Sequence, residues 1–134
     1  MPDPEGDLTP AQFEILQLLW KAKEGLTVAE IWEATCAQRE VGRTTTLNLV
    51  DRLEKRGWLR REKVDGVFRY QAAVDQESTK AHMASDFVGN FFGGSLSQFI
   101  LSLLGTQQVS KSELQRLKSM LEGHAAPPKK RKGE

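Results

Sequence analysis

The side chains best suited to recognition chemistry fall in one stretch, VGRTTTLNLVDRLEKRGWLRREKVDGVFRY, residues 41–70. An Asn such as Asn48 can bond bidentately to adenine, and Thr44 or Thr45 can offer a hydroxyl to a base or a methyl to thymine. Between residues 43 and 70, eight Lys and Arg stand against four Asp and Glu, a net charge of +4. Residues 1–42 carry −5, so the +1 of the whole chain hides a basic segment. Cations at such density neutralise phosphates beside a groove. Ordinary solvated helices and hairpins are built from the same residue types, so this stretch alone leaves both readings open.

These residues need elements to aim them. With residues 43–56 on a helix at about 100° per residue, Thr46, Leu49, Val50 and Leu53 share a core-facing stripe. Thr44, Asn48, Asp51 and Lys55 point the opposite way, flanked by Thr45, Leu47 and Arg52. Gly57 supplies the helix stop, after which residues 58–63 and 67–72 read as strands joined through Val64-Asp65-Gly66, a hairpin signal. On the hairpin, Arg60, Arg61, Lys63 and Arg69 are the candidate phosphate contacts, with Arg52 and Lys55 on the helix. Alternation sends Arg60 and Arg61 to opposite faces, so only one of those two is expected to touch a duplex.

Upstream, Thr9-Pro10-Ala11-Gln12 announces a capping box with Pro at the first helical position. Phe13, Ile15, Leu16, Leu18, Leu19 and Trp20 make this helix the packing centre, and Gly25 is expected to end it, with Leu26 folding back. Thr27-Val28-Ala29-Glu30 is a second capping box, opening a helix to about Ala37 with Val28, Ile31, Trp32 and Thr35 inward. Two helices, a short link, a helix with a polar face and a basic hairpin make a winged helix-turn-helix.

Downstream, helices are predicted over 76–92, 95–104 and 110–121, the last opened by Ser110-Lys111-Ser112-Glu113 with Leu114, Leu117, Met120 and Leu121 inward. Three such helices are too few to close a core alone. Phe87, Phe91, Phe99, Ile100, Leu103 and Leu104 are therefore candidate dimerisation residues, and a two-fold dimer is expected. The fold class is mainly α with a small β-wing. Its divisions are a DNA-binding winged helix at 8–74, a helical dimerisation domain at 75–122, and disordered tails at 1–7 and 123–134.

At 134 residues, 39% apolar and 28% charged, the chain is globular. One cysteine, Cys36, excludes an intrachain disulfide and reads as a small buried apolar residue. His82 and His124 have no ligand cluster near them, so neither a metal nor another cofactor is expected. No signal peptide or long apolar run occurs, which implies a soluble cytoplasmic protein with no membrane insertion. The run Pro127-Pro128-Lys129-Lys130-Arg131-Lys132 resembles a nuclear localisation signal but reads better as a disordered basic tail. No nucleophile-base pattern or phosphate loop favours an enzyme. A winged helix used only for protein contacts is the alternative; it predicts a neutral or acidic face in place of this cationic hairpin.

LTPAQFEILQLLW, LTVAEIWEA, RTTTLNLVDRLEKRGWLRREKVDGVFRYQAAV, the Phe92-Gly93-Gly94-Ser95 junction and SKSELQRLKSMLE together resemble the penicillinase repressor family, which includes methicillin-resistance and copper-responsive repressors. The similarity runs from about Leu8 to Leu121 with all segments in order. It implies a homodimeric bacterial repressor, working at the nucleoid, that binds palindromic operators in double-stranded DNA. The recognition positions carry over as Arg43, Thr44, Thr45, Leu47 and Asn48, and the wing as residues 60–69. The β-lactam-responsive members, which answer to a membrane sensor-protease, are cut at an Asn-Phe bond in the helix matching SLSQFILSLL, where this chain has none. The copper-responsive members carry Cys-x-Cys motifs near the C-terminus, and this chain has no cysteine after Cys36.

Overall fold

The computed structural model describes residue 4, residues 6–106 and residues 109–124. The basic run at 127–132 and most of the expected N-terminal tail lie outside the described residues. The elements run α1 (Pro10–Lys21), α2 (Val28–Cys36), α3 (Arg43–Lys55), β1 (Leu59–Val64), β2 (Val67–Ala72), α4 (Gln76–Phe92), α5 (Leu96–Gly105) and α6 (Lys111–His124). The chain divides into two compact units, Met1–His82 and Met83–Glu134, so the first two turns of α4 belong with the N-terminal unit. Among the described residues no single helix is long and apolar enough to cross a membrane.

Local sequence decides where the first helices begin. Thr9 Oγ1 accepts the Gln12 N–H and Gln12 Oε1 accepts the Thr9 N–H, at 3.2 and 3.0 Å. Thr27 and Glu30 repeat the arrangement at 3.1 and 2.9 Å. Each box satisfies two donors that a helix start otherwise leaves bare. The end of α3 is a glycine stop: Gly57 takes φ +88°, its N–H bonds Glu54 O at 3.1 Å, and Trp58 N–H bonds Leu53 O at 2.9 Å. Trp58 is thus spent on the helix stop, and β1 starts one residue later than expected.

The end of α1 departs from expectation. The helix stops at Lys21, and Ala22 caps it in an extended conformation. Gly25, at φ +82°, serves another purpose, because a Cβ there would lie 2.9 Å from Tyr70 O. Its bare backbone lets Leu26 pair with β2: Leu26 N–H donates to Tyr70 O at 3.0 Å, and Tyr70 N–H donates to Leu26 O at 2.7 Å. Leu26 packs on the core as expected, but through a strand-like bridge.

The core of the N-terminal unit is Ile15, Leu16 and Leu19 of α1, Ile31 of α2, Val50 and Leu53 of α3, and Trp58, Leu59 and Tyr70 around the hairpin root. Burying each aliphatic side chain contributes about 1.5–3 kcal/mol. Among the expected inward residues, Thr35 and Thr46 are buried, whereas Val28, Trp32 and Leu49 are half-buried. Cys36 is half-buried too, its Sγ 3.3 Å from Val41 O. The hairpin closes through Asp65 and Gly66, both at positive φ, with Val64 opposite Val67, as a two-residue turn of the I′ kind requires.

In the C-terminal unit no residue of α5 or α6 is buried. Phe92 and Phe99 stack edge-on at 5.4 Å, and Phe87 lies 6.0 Å from each. Of the α6 residues expected inward, Leu114, Met120 and Leu121 are exposed and only Leu117 is half-covered. One copy of so short a helical segment has too little surface to cover them.

Candidate nucleic-acid interface

The face of α3 opposite Thr46, Val50 and Leu53 is open. Arg43, Thr44, Thr45, Leu47 and Asn48 are all exposed, Leu47 by 50% despite its apolar side chain. They occupy the first two turns, so i,i+4 spacing stacks Thr44 over Asn48 and Arg43 over Leu47. Thr45, Asn48, Leu49 and Arg52 line a shallow depression on the same side. The start of the helix is held by α2: Trp32 Nε1–H donates to Val41 O at 2.7 Å, and the Arg43 guanidinium lies 5.0 Å from the Trp32 ring centroid. Trp32, expected only as core, therefore also aims the first residue of α3.

The candidate phosphate contacts fall into two groups. Arg52 is exposed with no ion pair among the described residues. Lys55 meets Asp51 at 3.1 Å one turn back, both well exposed, a pair worth only ~0.3–0.5 kcal/mol. Arg60 donates to the neutral amide oxygen of Gln71 at 2.9 Å. Lys63 lies 5.7 Å from the Phe68 ring centroid. The other two wing cations are already paired. Arg61 Nε meets Glu54 at 3.1 Å and stacks 4.1 Å from Phe68, while Arg69 meets Glu30 at 3.1 Å. The register puts Arg61, Lys63 and Phe68 on one face of the hairpin and Arg60 and Arg69 on the other.

Glu30, Glu54 and Phe68 were not expected to shape the site. The signal for Phe68 was present, because a two-residue turn at Asp65-Gly66 sets it opposite Lys63. The acidic partners could not be foreseen, since each lies on another element. The six dimerisation candidates occupy the end of α4 and α5: Phe87, Phe91, Leu103 and Leu104 are exposed, Phe91 by 70%, and Phe99 and Ile100 are half-buried.

Three helices, a hairpin wing and an exposed polar face on the third helix define a winged helix-turn-helix domain, carried here with a C-terminal helical unit. A mutant MarR from E. coli has the same fold, with TM-score 0.51 and 19% identity, over 87% of this chain and 77% of that one. The model of the penicillinase repressor family matches residues 8–123, and the chain belongs to this family of winged-helix transcriptional repressors. The penicillinase repressor of Bacillus licheniformis is 26% identical over 117 residues, covering 87% of this chain and 91% of the relative. The methicillin resistance regulatory protein MecI of Staphylococcus aureus (strain N315) is 23% identical over 115 residues, covering 86% and 93%.

Proposed function

We propose that the chain represses transcription by binding, as a homodimer, a palindromic operator in double-stranded DNA. The observation that carries this reading is the open face of α3, where Arg43, Thr44, Thr45, Leu47 and Asn48 are all solvent-facing beside a cationic wing. In the major groove, Asn48 addresses adenine and the threonines address base edges or thymine methyls. Leu47 is set for a thymine methyl, an apolar contact that explains a leucine left in water. Arg52, Lys55 and cations of the wing serve phosphates, Arg60 and Lys63 among them.

A single winged helix buries too little surface for high selectivity. The exposed apolar residues of α4 and α5 supply the second copy, placing two recognition helices on half-sites about one helical turn, or a simple multiple, apart. As a DNA-bound repressor the protein acts in the cytoplasm, at the nucleoid. Its release from DNA belongs to an inducing signal, through an antirepressor or a membrane sensor-protease. The chain does contain one Asn-Phe pair, Asn90-Phe91. It lies in the last turn of α4, one helix before the position that the family resemblance concerns, so the resemblance assigns no cut there.

The test uses the duplex enriched from a random pool by the wild-type protein. Asn48→Ala and Thr44→Ala should each weaken its binding by about 1–3 kcal/mol where the lost contact is bidentate, with smaller loss on random duplex. Equal losses on both duplexes would remove that residue from base reading.

A further inference from the structure

The wing carries four cations, and charge alone would make each a phosphate contact. Their surroundings differ. Arg69 is half-buried, and its Nη1 donates to Glu30 Oε1 at 3.1 Å; the same oxygen accepts the Thr27 N–H at 2.9 Å. The wing is thereby tied to the capping box that starts α2. From the opposite face of the hairpin, Arg61 Nε forms an ion pair with Glu54 Oε2 at 3.1 Å, in the last turn of α3, while its guanidinium covers the Phe68 ring. Arg60 and Lys63 meet no carboxylate among the described residues.

We propose that Arg61 and Arg69 are positioning residues that clasp the wing to α3 and α2, leaving Arg60 and Lys63 to take the phosphates. The proposal rests on the duplex-binding reading above. A two-stranded hairpin is marginally stable by itself. This one is buried only at its root, through Leu59 and Tyr70, while every residue from Arg60 to Phe68 is exposed. Ties from opposite faces to two different helices restrain its tilt in both directions. They set the distance from wing to recognition helix, and with it the register in which phosphates and base edges are met together. An arginine that already neutralises a carboxylate also adds little counterion release, because its charge is compensated before DNA arrives.

The test measures binding of the full chain to a random-sequence 30-base-pair duplex pool, and to the duplex that the wild type enriches from that pool, across a salt series. Arg60→Gln and Lys63→Gln should each flatten the slope of log K against log salt by about 0.9, the value for one phosphate. Arg61→Gln and Arg69→Gln should keep the wild-type slope. They should instead lower the preference for the enriched duplex, by up to about fivefold, the factor for the upper end of an exposed ion pair. Arg69→Lys should restore that preference.

Glu30→Gln checks the clasp from its other end, because glutamine still accepts the Thr27 N–H and keeps the capping box. It should lose preference as Arg69→Gln does, with the tryptophan emission of the folded protein unchanged. A slope loss of about 0.9 in either arginine variant overturns the assignment for that residue. An unchanged slope with unchanged preference overturns it as well, as does a Glu30→Gln protein that discriminates like wild type. A flat slope for the wild type would instead refute duplex binding itself.

Discussion

Gly25 and Gly66 have nearly the same backbone conformation, φ +82° and +81°, in different surroundings. Replacing each by alanine therefore separates conformational strain from contact. Left-handed backbone costs an L-residue about 1–2 kcal/mol, and the stiffer unfolded chain returns about 0.4–1 kcal/mol. A Cβ on Gly66 meets nothing within 4 Å, so Gly66→Ala should cost only the difference, about 1 kcal/mol. A Cβ on Gly25 would lie 2.9 Å from Tyr70 O and 3.1 Å from Gln71 Cγ. The first of these is backbone, so β2 must retreat and give up the two hydrogen bonds between Leu26 and Tyr70. At about 1 kcal/mol each, they bring Gly25→Ala to about 3 kcal/mol. Trp20, Trp32 and Trp58 all lie in the N-terminal unit, so tryptophan fluorescence in urea reports on that unit alone. With a slope near 1 kcal/mol per molar urea, the midpoint should fall by about 1 M for Gly66→Ala and about 3 M for Gly25→Ala. Equal falls would mean that the Leu26–Tyr70 bridge contributes nothing to stability.

Thr27→Ala removes the hydroxyl that accepts the Glu30 N–H and should cost about 1 kcal/mol, read as a lower urea midpoint. An unchanged midpoint would show that the box is redundant with tertiary packing. A fragment ending at His82 should unfold at higher urea than one ending at Val74, because Thr79 on α4 is only 6% exposed; identical midpoints would place Thr79 outside the cooperative unit. Leu103→Glu combined with Leu104→Glu should make the full chain sediment as a monomer at micromolar concentration, since both side chains are 41% exposed within one copy. A persistent dimer would move the interface elsewhere.

What the sequence shows clearly is local. The boxes at Thr9 and Thr27, the glycine stop after α3 and the Asp65-Gly66 turn are each complete within six residues, and each falls where its residues require. What it hides is pairing at long range. Gly25 reads as a helix terminator because left-handed glycine commonly follows a helix, yet its conformation serves a strand contact 45 residues away in sequence, at Tyr70. The wing cations pose the same difficulty. Counting charges along residues 43–70 finds a basic segment but cannot tell Arg60 from Arg69, because the carboxylate of Glu30 lies 39 residues upstream.

The C-terminal helices invert the problem. Their starts are legible, with Ser95 Oγ accepting the Gln98 N–H at 3.2 Å and Ser110 Oγ accepting the Glu113 N–H at 3.1 Å. Periodicity also marks an apolar side on each helix. It cannot say what covers that side, because spacing encodes a face and not the chain that meets it. Spacing turns Leu114, Met120 and Leu121 inward, yet they face solvent in a single copy, together with Leu96 and Leu101 of α5. Helices with an apolar face and no buried residue are under-packed alone, which is why the proposed dimer is built through them. The polar face of α3 and the apolar faces of α5 and α6 are thus open for opposite reasons: the first has side chains that water and DNA can both satisfy, and the others have side chains that only another apolar surface can.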